Sequence, residues 1–301
     1  AALGVLGLGG GEAFAWTPVG SASTHGPARG LASTGRSLPD LVISAREALE
    51  WLVDLSATPS RRAVARLAGA CPCPPEAAAL AELATEEGYK AGVAGPRLAL
   101  VDLLTRFKSA AAGFDLASFI NAQPRLAPRY YSLSSSPKFG PDRARATICV
   151  GLVSGTTAAG RPHLGPGSQT VHAARPGDTI LGTVRALQSK FRLPKDPATP
   201  VVMVGPGTGV APMIGFLEER DALARAGARL GPALLFFGCR NEEDYLFKDR
   251  LEAWLASGVL TGLHIAFSRP KDGAAKAYVQ DLLAREAAAV WPLLSSGGHV
   301  Y

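Results

Sequence analysis

The sequence predicts an α/β fold joined to a β part, and three observations carry that reading. From Ser44 to about Phe119 the apolar residues recur at helical spacing. From Pro128 onward the chain breaks into short β-type runs split by Gly and Pro, as in a small barrel or sandwich. From Thr199 the runs "VVMVG", "ALLFFG" and "LHIAFS" are nearly all apolar and alternate with helical periods. That combination is the mark of a parallel sheet covered on both faces.

Taken in order, residues 1–40 are Gly, Ser, Thr, Pro and Ala without pattern and are expected to be loop or disorder. In "SAREALEWLVDL", Ser44 reads as an N-cap, Glu47 completes a capping box, and Ala48, Trp51, Leu52 and Leu55 share a face. "PSRRAVARLAG", "PPEAAALAELATEEG" and "RLALVDLLTRF" continue as helices ended by Pro and Gly. "YYSLSSS", "ATICVGLV" and "DTILGTVRA" read as strands. "MIGFLEERDALARAG" and "YLFKDRLEAWLASG" read as helices, the second closed by Gly258 at C′. "AYVQDLLAREAAAVWPLL" is the next helix and "HVY" the next strand.

The 301 residues are 47% hydrophobic, enough for two compact domains with real cores. The net charge of +6 comes from scattered Lys and Arg, with only 7% aromatics, which argues against nucleic acid and suits anionic cofactors or an acidic protein partner. The four cysteines, Cys71, Cys73, Cys149 and Cys239, offer no second pair to complete a metal site, so no metal is expected. Reduced thiols and an intracellular setting are. The apolar start "AALGVLGLGGGEAFAW" is too short and Gly-rich for a membrane span. The chain begins without Met and stops as a strand starts, so a fragment is expected.

Two motifs carry chemistry. "VVMVGPGTGVAPMIGFL" stands after a strand and before a helix, where Gly205, Gly207 and Gly209 allow positive φ and close backbone approach. Free N–H groups at the helix start make an anion site, Pro212 suits a first turn, and Thr208 adds a hydroxyl. No Gly-Lys-Ser/Thr follows, which excludes the NTPase phosphate loop. Folds that prefer NAD place an acid at the end of the second strand. Here the strand "LHIAFSR" ends in Ser268-Arg269, with Lys276 and Tyr278 beyond, a donor set suited to a 2′-phosphate. In the β part, Arg129-Tyr130-Tyr131-Ser132 offers charge, stacking and a hydrogen bond to a planar phosphate-bearing ligand. Strand alternation would send Tyr130 and Tyr131 to opposite faces.

Arg-x-Tyr-Ser-x-x-Ser (Arg129, Tyr131, Ser132, Ser135), followed in order by "GPGTGVAP", "FFGCR", "AFSR" and "KAYVQ", resembles the diflavin reductases of the ferredoxin–NADP reductase superfamily over about residues 45–301. The resemblance implies a small antiparallel FAD-binding barrel (121–198) with a helical connecting insert (41–120), then a parallel α/β NADPH-binding domain (199–301). It implies that Arg129 pairs with the FAD pyrophosphate, that Tyr131 stacks on the isoalloxazine beside Tyr130, and that Ser132 sits near the reacting nitrogen as the catalytic candidate. Residues near Cys149 would offer backbone to the flavin, and Gly165, Gly167 and Ser168 would form the second FAD phosphate turn. NADPH would be held by Gly205, Gly207, Thr208, Gly209, Ser268, Arg269, Lys276, Tyr278 and Gln280. Arg97 is a further candidate for FAD contact.

Departures from the family pattern are visible. Pro166 removes one N–H from the second phosphate turn. The N-terminal FMN domain, the first barrel strands and the C-terminal piece beyond "HVY" are expected to be missing from this fragment. The resemblance implies an oxidoreductase that passes a hydride from NADPH to FAD, then electrons to an FMN domain, in the same chain or in trans, and on to a haem or cobalamin protein. The setting would be the cytoplasm or the cytoplasmic face of the endoplasmic reticulum. NADPH–haemoprotein reductase is the first reading. The six-residue spacer between Arg269 and Lys276, with "DYLF", keeps methionine synthase reductase open. A non-catalytic remnant that retains nucleotide binding and a single-flavin ferredoxin–NADP reductase are the rivals. The helical insert argues against the last.

Overall fold

The computed structural model describes residues 13–15, 42–136, 138, 145–157, 160, 162–180, 182–184, 191–271 and 273–301. The expectations for residues 1–12 and 16–40 lie outside the described residues. The chain forms two compact units. One comprises Ala1–Arg129 with Leu152–Thr183, the other Tyr130–Gly151 with Val184–Tyr301.

The first unit opens with β1 (Ala13–Ala15) paired antiparallel to β2 (Val42–Ser44), a strand inside the stretch expected to lack pattern. The helix α1 (Ala45–Trp51) follows at once. The Ser44 hydroxyl accepts from the Glu47 N–H while the Glu47 carboxylate accepts from the Ser44 N–H, the expected capping box. The helical face is a correction: Ala45, Ala48 and Leu49 are buried, whereas Trp51 is 64% exposed. The helix stops at Trp51 and the chain turns extended, with Val53 bridging Arg125, so Leu55 never joins the helical face.

Six helices follow: α2 (Arg61–Ala70), α3 (Pro74–Leu83), α4 (Glu86–Tyr89), α5 (Leu100–Arg106), α6 (Lys108–Ala112) and α7 (Leu116–Ala122). A π-helical turn, Lys90–Ala94, continues α4. Their apolar faces meet in one core around Leu67, Leu80, Leu100, Leu103, Leu104, Phe119 and Ile120. The same unit holds a hairpin, β3 (Ser154–Thr156) with β4 (Pro162–Leu164), and the helix α8 (Pro166–Ala173).

The second unit is built on a four-stranded parallel sheet in the order β7-β6-β5-β8: β5 (Val201–Pro206), β6 (Ala233–Cys239), β7 (Gly262–Phe267) and β8 (His299–Val300). The apolar runs expected as strands are these strands. Each alternates its side chains between two helical layers. Met203, Leu235 and Phe237 pack on α9 (Ala211–Arg225) and α10 (Lys248–Ala256) through Ile214, Leu217, Leu251 and Trp254. Val202, Leu234 and Phe236 face α11 (Val279–Arg285) and α12 (Ala287–Ser295) through Leu282, Leu283, Val290 and Leu293. Burial on both faces is why β5 and β6 read as continuous apolar runs; β7 is half-buried and the two residues of β8 are exposed. Gly258 follows α10 with φ +79°, in the left-handed conformation a C′ glycine supplies.

The segments expected to be barrel strands are mostly irregular among the described residues. Leu133 and Ile148 form an isolated bridge. Ladder bonding is instead shared with hydroxyls. The Ser134 N–H donates to the Thr147 carbonyl at 2.8 Å, and the Thr147 N–H donates to the Ser135 hydroxyl at 2.9 Å.

Candidate functional site

The carboxyl ends of β5, β6 and β7 face the same way because the strands are parallel. Ligands of open α/β sheets bind at that edge. At the end of β5 the chain makes a 3₁₀ turn, Gly207–Val210, before α9 begins. Gly207 has φ +57°. A β-carbon on Gly205 would stand 2.7 Å from the Val210 Cα, so the turn closes only over glycine. No side chain caps α9, the Ala211 N–H donates to the Thr208 carbonyl and Pro212 has no N–H, so the place for an anion is the glycine turn that leads into the helix.

A cleft of about 260 Å³ opens beside this turn. Thr208, Gly209, Ala211 and Pro212 line one side, and Tyr130, Tyr131, Ser132 and Cys149 line the other. Both tyrosines reach the same cleft, which corrects the expectation of opposite faces. The backbone at 130–132 is irregular, so strand alternation does not apply. Tyr130 is 74% exposed. Burial pushes the Cys149 thiol up, so it stands there as a neutral group.

The serine run divides its labour. The Ser134 hydroxyl meets the Thr147 hydroxyl at 2.8 Å, Ser135 accepts the Thr147 N–H, and the Ser136 hydroxyl accepts the Lys138 N–H at 3.1 Å. Ser132, exposed, lines the cleft.

At the ends of β6 and β7 the 2′-phosphate candidates gather. The Ser268 hydroxyl donates to the Cys239 carbonyl at 3.2 Å, and the Arg269 N–H donates to the Arg240 carbonyl at 2.7 Å. The Lys276 ammonium stands 4.6 Å from the centre of the Tyr278 ring. Gln280 is exposed near the start of α11. The sequence reading assigned no role to Arg240. It makes a two-point ion pair with Asp244, one bond at 2.9 Å. Hydrogen bonding from Arg240, with the added field of Arg269, holds the Asp244 carboxyl below its usual range. The signal available was a lone Arg ending the apolar run "FFGCR". Cys239 beneath is inert, its thiol pushed up to about 11 first by burial and then by Asp244 and Glu242.

In the first unit, Arg129 lies 3.5 Å from Asp54 and donates to the Ala127 carbonyl at 2.6 Å. Arg97 has φ +54° in the loop that follows the π-helical turn. The turn Gly165-Pro166-Gly167-Ser168 is a helix start: Gly165 is the N-cap of α8 and Pro166 opens its first turn. The buried Ser168 hydroxyl accepts the Val153 N–H at 3.1 Å and donates to the Gly165 carbonyl at 3.0 Å, so it holds the turn itself. Among the described residues no group of three or more His, Cys, Asp or Glu could hold a metal ion. No helix among them is long and apolar enough to cross a membrane.

These features fit the two nucleotides that the motifs call for. The close glycine turn that leads into α9 suits a pyrophosphate. Two phenols and a hydroxyl on one cleft wall suit a flat polar ring. The Ser268–Lys276 cluster suits a phosphate monoester.

Comparison with known proteins agrees. Residues 33–169 match the family described as "FAD binding domain", and residues 203–301 match "Oxidoreductase NAD-binding domain". The chain is 40% identical over 276 residues to the bifunctional cytochrome P450/NADPH–P450 reductase 1 of Bacillus subtilis, covering 90% of this chain and 25% of that protein. It is 36% identical over 268 residues to the NADPH–cytochrome P450 reductase of Homo sapiens, covering 86% of this chain and 39% of that one. The chain thus spans between a quarter and two fifths of the length of these relatives. With an FAD-binding part preceding an NAD-binding part, the chain is similar over 86–90% of its length to the FAD- and nucleotide-binding portion of NADPH–cytochrome P450 reductases.

Proposed function

We propose that the chain passes a hydride from NADPH to FAD and hands the electrons on to an FMN domain and a haemoprotein of the cytochrome P450 kind. The observation that carries this reading is the single cleft that brings Tyr131 and Ser132 opposite Thr208 and Gly209. When bound, FAD accepts the hydride and releases electrons one at a time.

The chain's own residues would bind and orient. Thr208 and the N–H groups of Gly207–Val210 hold the NADPH phosphates. Ser268, Arg269, Lys276, Tyr278 and Gln280 hold the 2′-phosphate end. Arg129 answers the FAD pyrophosphate and Tyr131 stacks on the ring. Ser132 offers its hydroxyl beside the reacting atoms, and the half-buried Cys149 narrows water access. We assign residues 41–120 to a helical connecting part, 121–198 to an FAD barrel and 199–301 to the NADPH domain. The relatives' names support the P450-type acceptor. The four free cysteines support a reducing, intracellular setting.

A second reading, a nucleotide binder that transfers nothing, has one observation in its favour: Pro166 and the inward Ser168 hydroxyl leave the second phosphate turn few donors. Purification in the presence of FAD separates the two. The first reading requires an oxidised-flavin spectrum that bleaches under anaerobic NADPH and much more slowly under NADH. A colourless protein that still binds NADPH would leave only the second. Reduction of an added P450 through an added FMN domain, against a cobalamin protein as rival acceptor, tests the partner.

A further inference from the structure

The segment Tyr130–Ser136 is fixed to α9 at points the reaction itself does not use. A β-carbon on Gly215 would stand 3.3 Å from the Ser135 carbonyl oxygen and 3.6 Å from that of Leu133, so the segment rests on bare helix backbone. One turn further, Glu218 is 5% exposed. Its Oε2 accepts the Ser136 N–H at 2.8 Å, and its Oε1 takes the Arg250 guanidinium from α10. Arg250 is itself held, its guanidinium 4.7 Å from the Trp254 ring centre and 5.9 Å from that of Phe247.

Glu218 is buried while Arg250 is 40% exposed, so the carboxylate gives up its hydration and is compensated by one half-exposed cation and one N–H, seldom the most stable way to fill such a space. What a carboxylate provides and a Leu does not is a directed, charge-assisted acceptor for one N–H. That N–H belongs to Ser136, four residues from Ser132 on the cleft wall.

We infer that Glu218 is a positioning residue: anchored by Arg250, it fixes the Tyr130–Ser136 segment on α9 and so sets the placement of Tyr131 and Ser132 against Thr208 and Gly209. The inference rests on the hydride-transfer reading for its consequence. Transfer needs donor and acceptor held about 3–3.5 Å apart, and small misplacements cost large factors in rate.

The deciding variant is Glu218→Met with Arg250→Met in the 301-residue chain. It removes both charges at similar volume, leaves no unpaired buried charge behind, and is expected to keep the fold, which protection of the α9 interior reports. Deuterium exchange at the Ser136 and Thr147 amides should rise by about tenfold or more while the α9 interior keeps its protection. With FAD bound, the NADPH-driven flavin bleach should slow by about tenfold or more, while adenosine 2′,5′-bisphosphate affinity moves less than about twofold. Glu218→Gln keeps an acceptor oxygen for Ser136 and should recover most of both losses.

Unchanged exchange at Ser136 in the double variant overturns the anchoring. Faster exchange with an undiminished bleach rate overturns the positioning role. A parent protein that NADPH never bleaches overturns the hydride reading and the positioning consequence with it, and the exchange measurement still judges the anchor by itself.

Discussion

The Lys276 ammonium rests 4.6 Å from the centre of the Tyr278 ring, at the edge of the parallel sheet where Ser268 and Arg269 also stand. The ring pre-positions the cation, so in the proposed 2′-phosphate site the two residues would act together. Lys276→Ala and Arg269→Ala should each weaken adenosine 2′,5′-bisphosphate by roughly tenfold to a hundredfold, since a charge-assisted hydrogen bond is worth about 1.5–3 kcal/mol. Tyr278→Leu should cost less than about tenfold, because an exposed cation–π contact is worth only about 0.5–1 kcal/mol. Titration calorimetry with that ligand and with adenosine 5′-monophosphate checks this. Equal losses for both ligands would remove the 2′-phosphate assignment.

Arg129 should matter more to flavin retention than Tyr130 does. In the structure its guanidinium is shared between Asp54 at 3.5 Å and the Ala127 carbonyl at 2.6 Å, so it is already oriented. Arg129→Ala should release FAD during gel filtration, whereas Tyr130→Phe, which keeps the ring, should not. An arginine variant that emerges with the parent's flavin-to-protein ratio would break the phosphate assignment.

The parallel sheet was legible because burial on both faces leaves a bare apolar run between helical periods, as in Val201–Gly205 and Ala233–Gly238. Pro212 and Gly258 marked helix ends, since each residue has a conformational reason to stand where it does. The β part was less legible. Ser134, Ser135 and Thr147 replace ladder bonds with hydroxyl bonds, and no period-two pattern survives that exchange. Gly165–Ser168, expected from the resemblance as a phosphate turn, is the start of a helix, because Gly and Pro suit both. Trp51 falls at the last turn of a helix that Val53 ends by bridging Arg125, a contact 72 residues away that local spacing cannot register. Glu218 was invisible as a site residue, since on a helix it looks like any solvated charge.

Asp115 supplies a pH test of the helical unit. It caps α7 by accepting the Ser118 N–H at 2.8 Å, and that backbone bond, with help from the Ser118 side chain, holds its carboxyl below the usual value. A depressed folded-state pKa means the stabilisation is full above the unfolded-state value of about 3.9 and is lost as pH falls through the folded-state value. Asp115→Ala should cost about 1 kcal/mol at pH 7. Asp115→Asn keeps a capping oxygen but cannot titrate. The stability gap between parent and Asn variant in urea should therefore be constant from pH 7 to 5 and shift against the parent only in acid. A gap that stays constant down to pH 2 would show that the cap is not the titrating contact.

The glycines of the β5–α9 turn should separate by mechanism. At Gly205 a β-carbon would meet the Val210 Cα at 2.7 Å and the Val210 N at 3.0 Å, both backbone, so nothing can move aside without opening the turn. Gly207 has open space around it but a φ of +57°, and a side chain there carries a left-handed strain of about 1–2 kcal/mol. Gly209 has neither difficulty: its nearest neighbour would be the Pro206 Cδ at 3.7 Å, an ordinary contact, but it lines the cleft. Gly205→Ala should therefore lower both the melting temperature and NADPH affinity, and Gly207→Ala should lower stability by about the strain alone. Gly209→Ala should leave the melting temperature within about a degree while reducing NADPH affinity, because a methyl enters the space the coenzyme needs without touching the fold. Thermal unfolding and NADPH titration on the three variants decide it. If Gly209→Ala melts as early as Gly205→Ala, the turn's tolerance is set by something other than these contacts. If Gly209→Ala binds NADPH as the parent does, the coenzyme does not pass over this wall of the cleft.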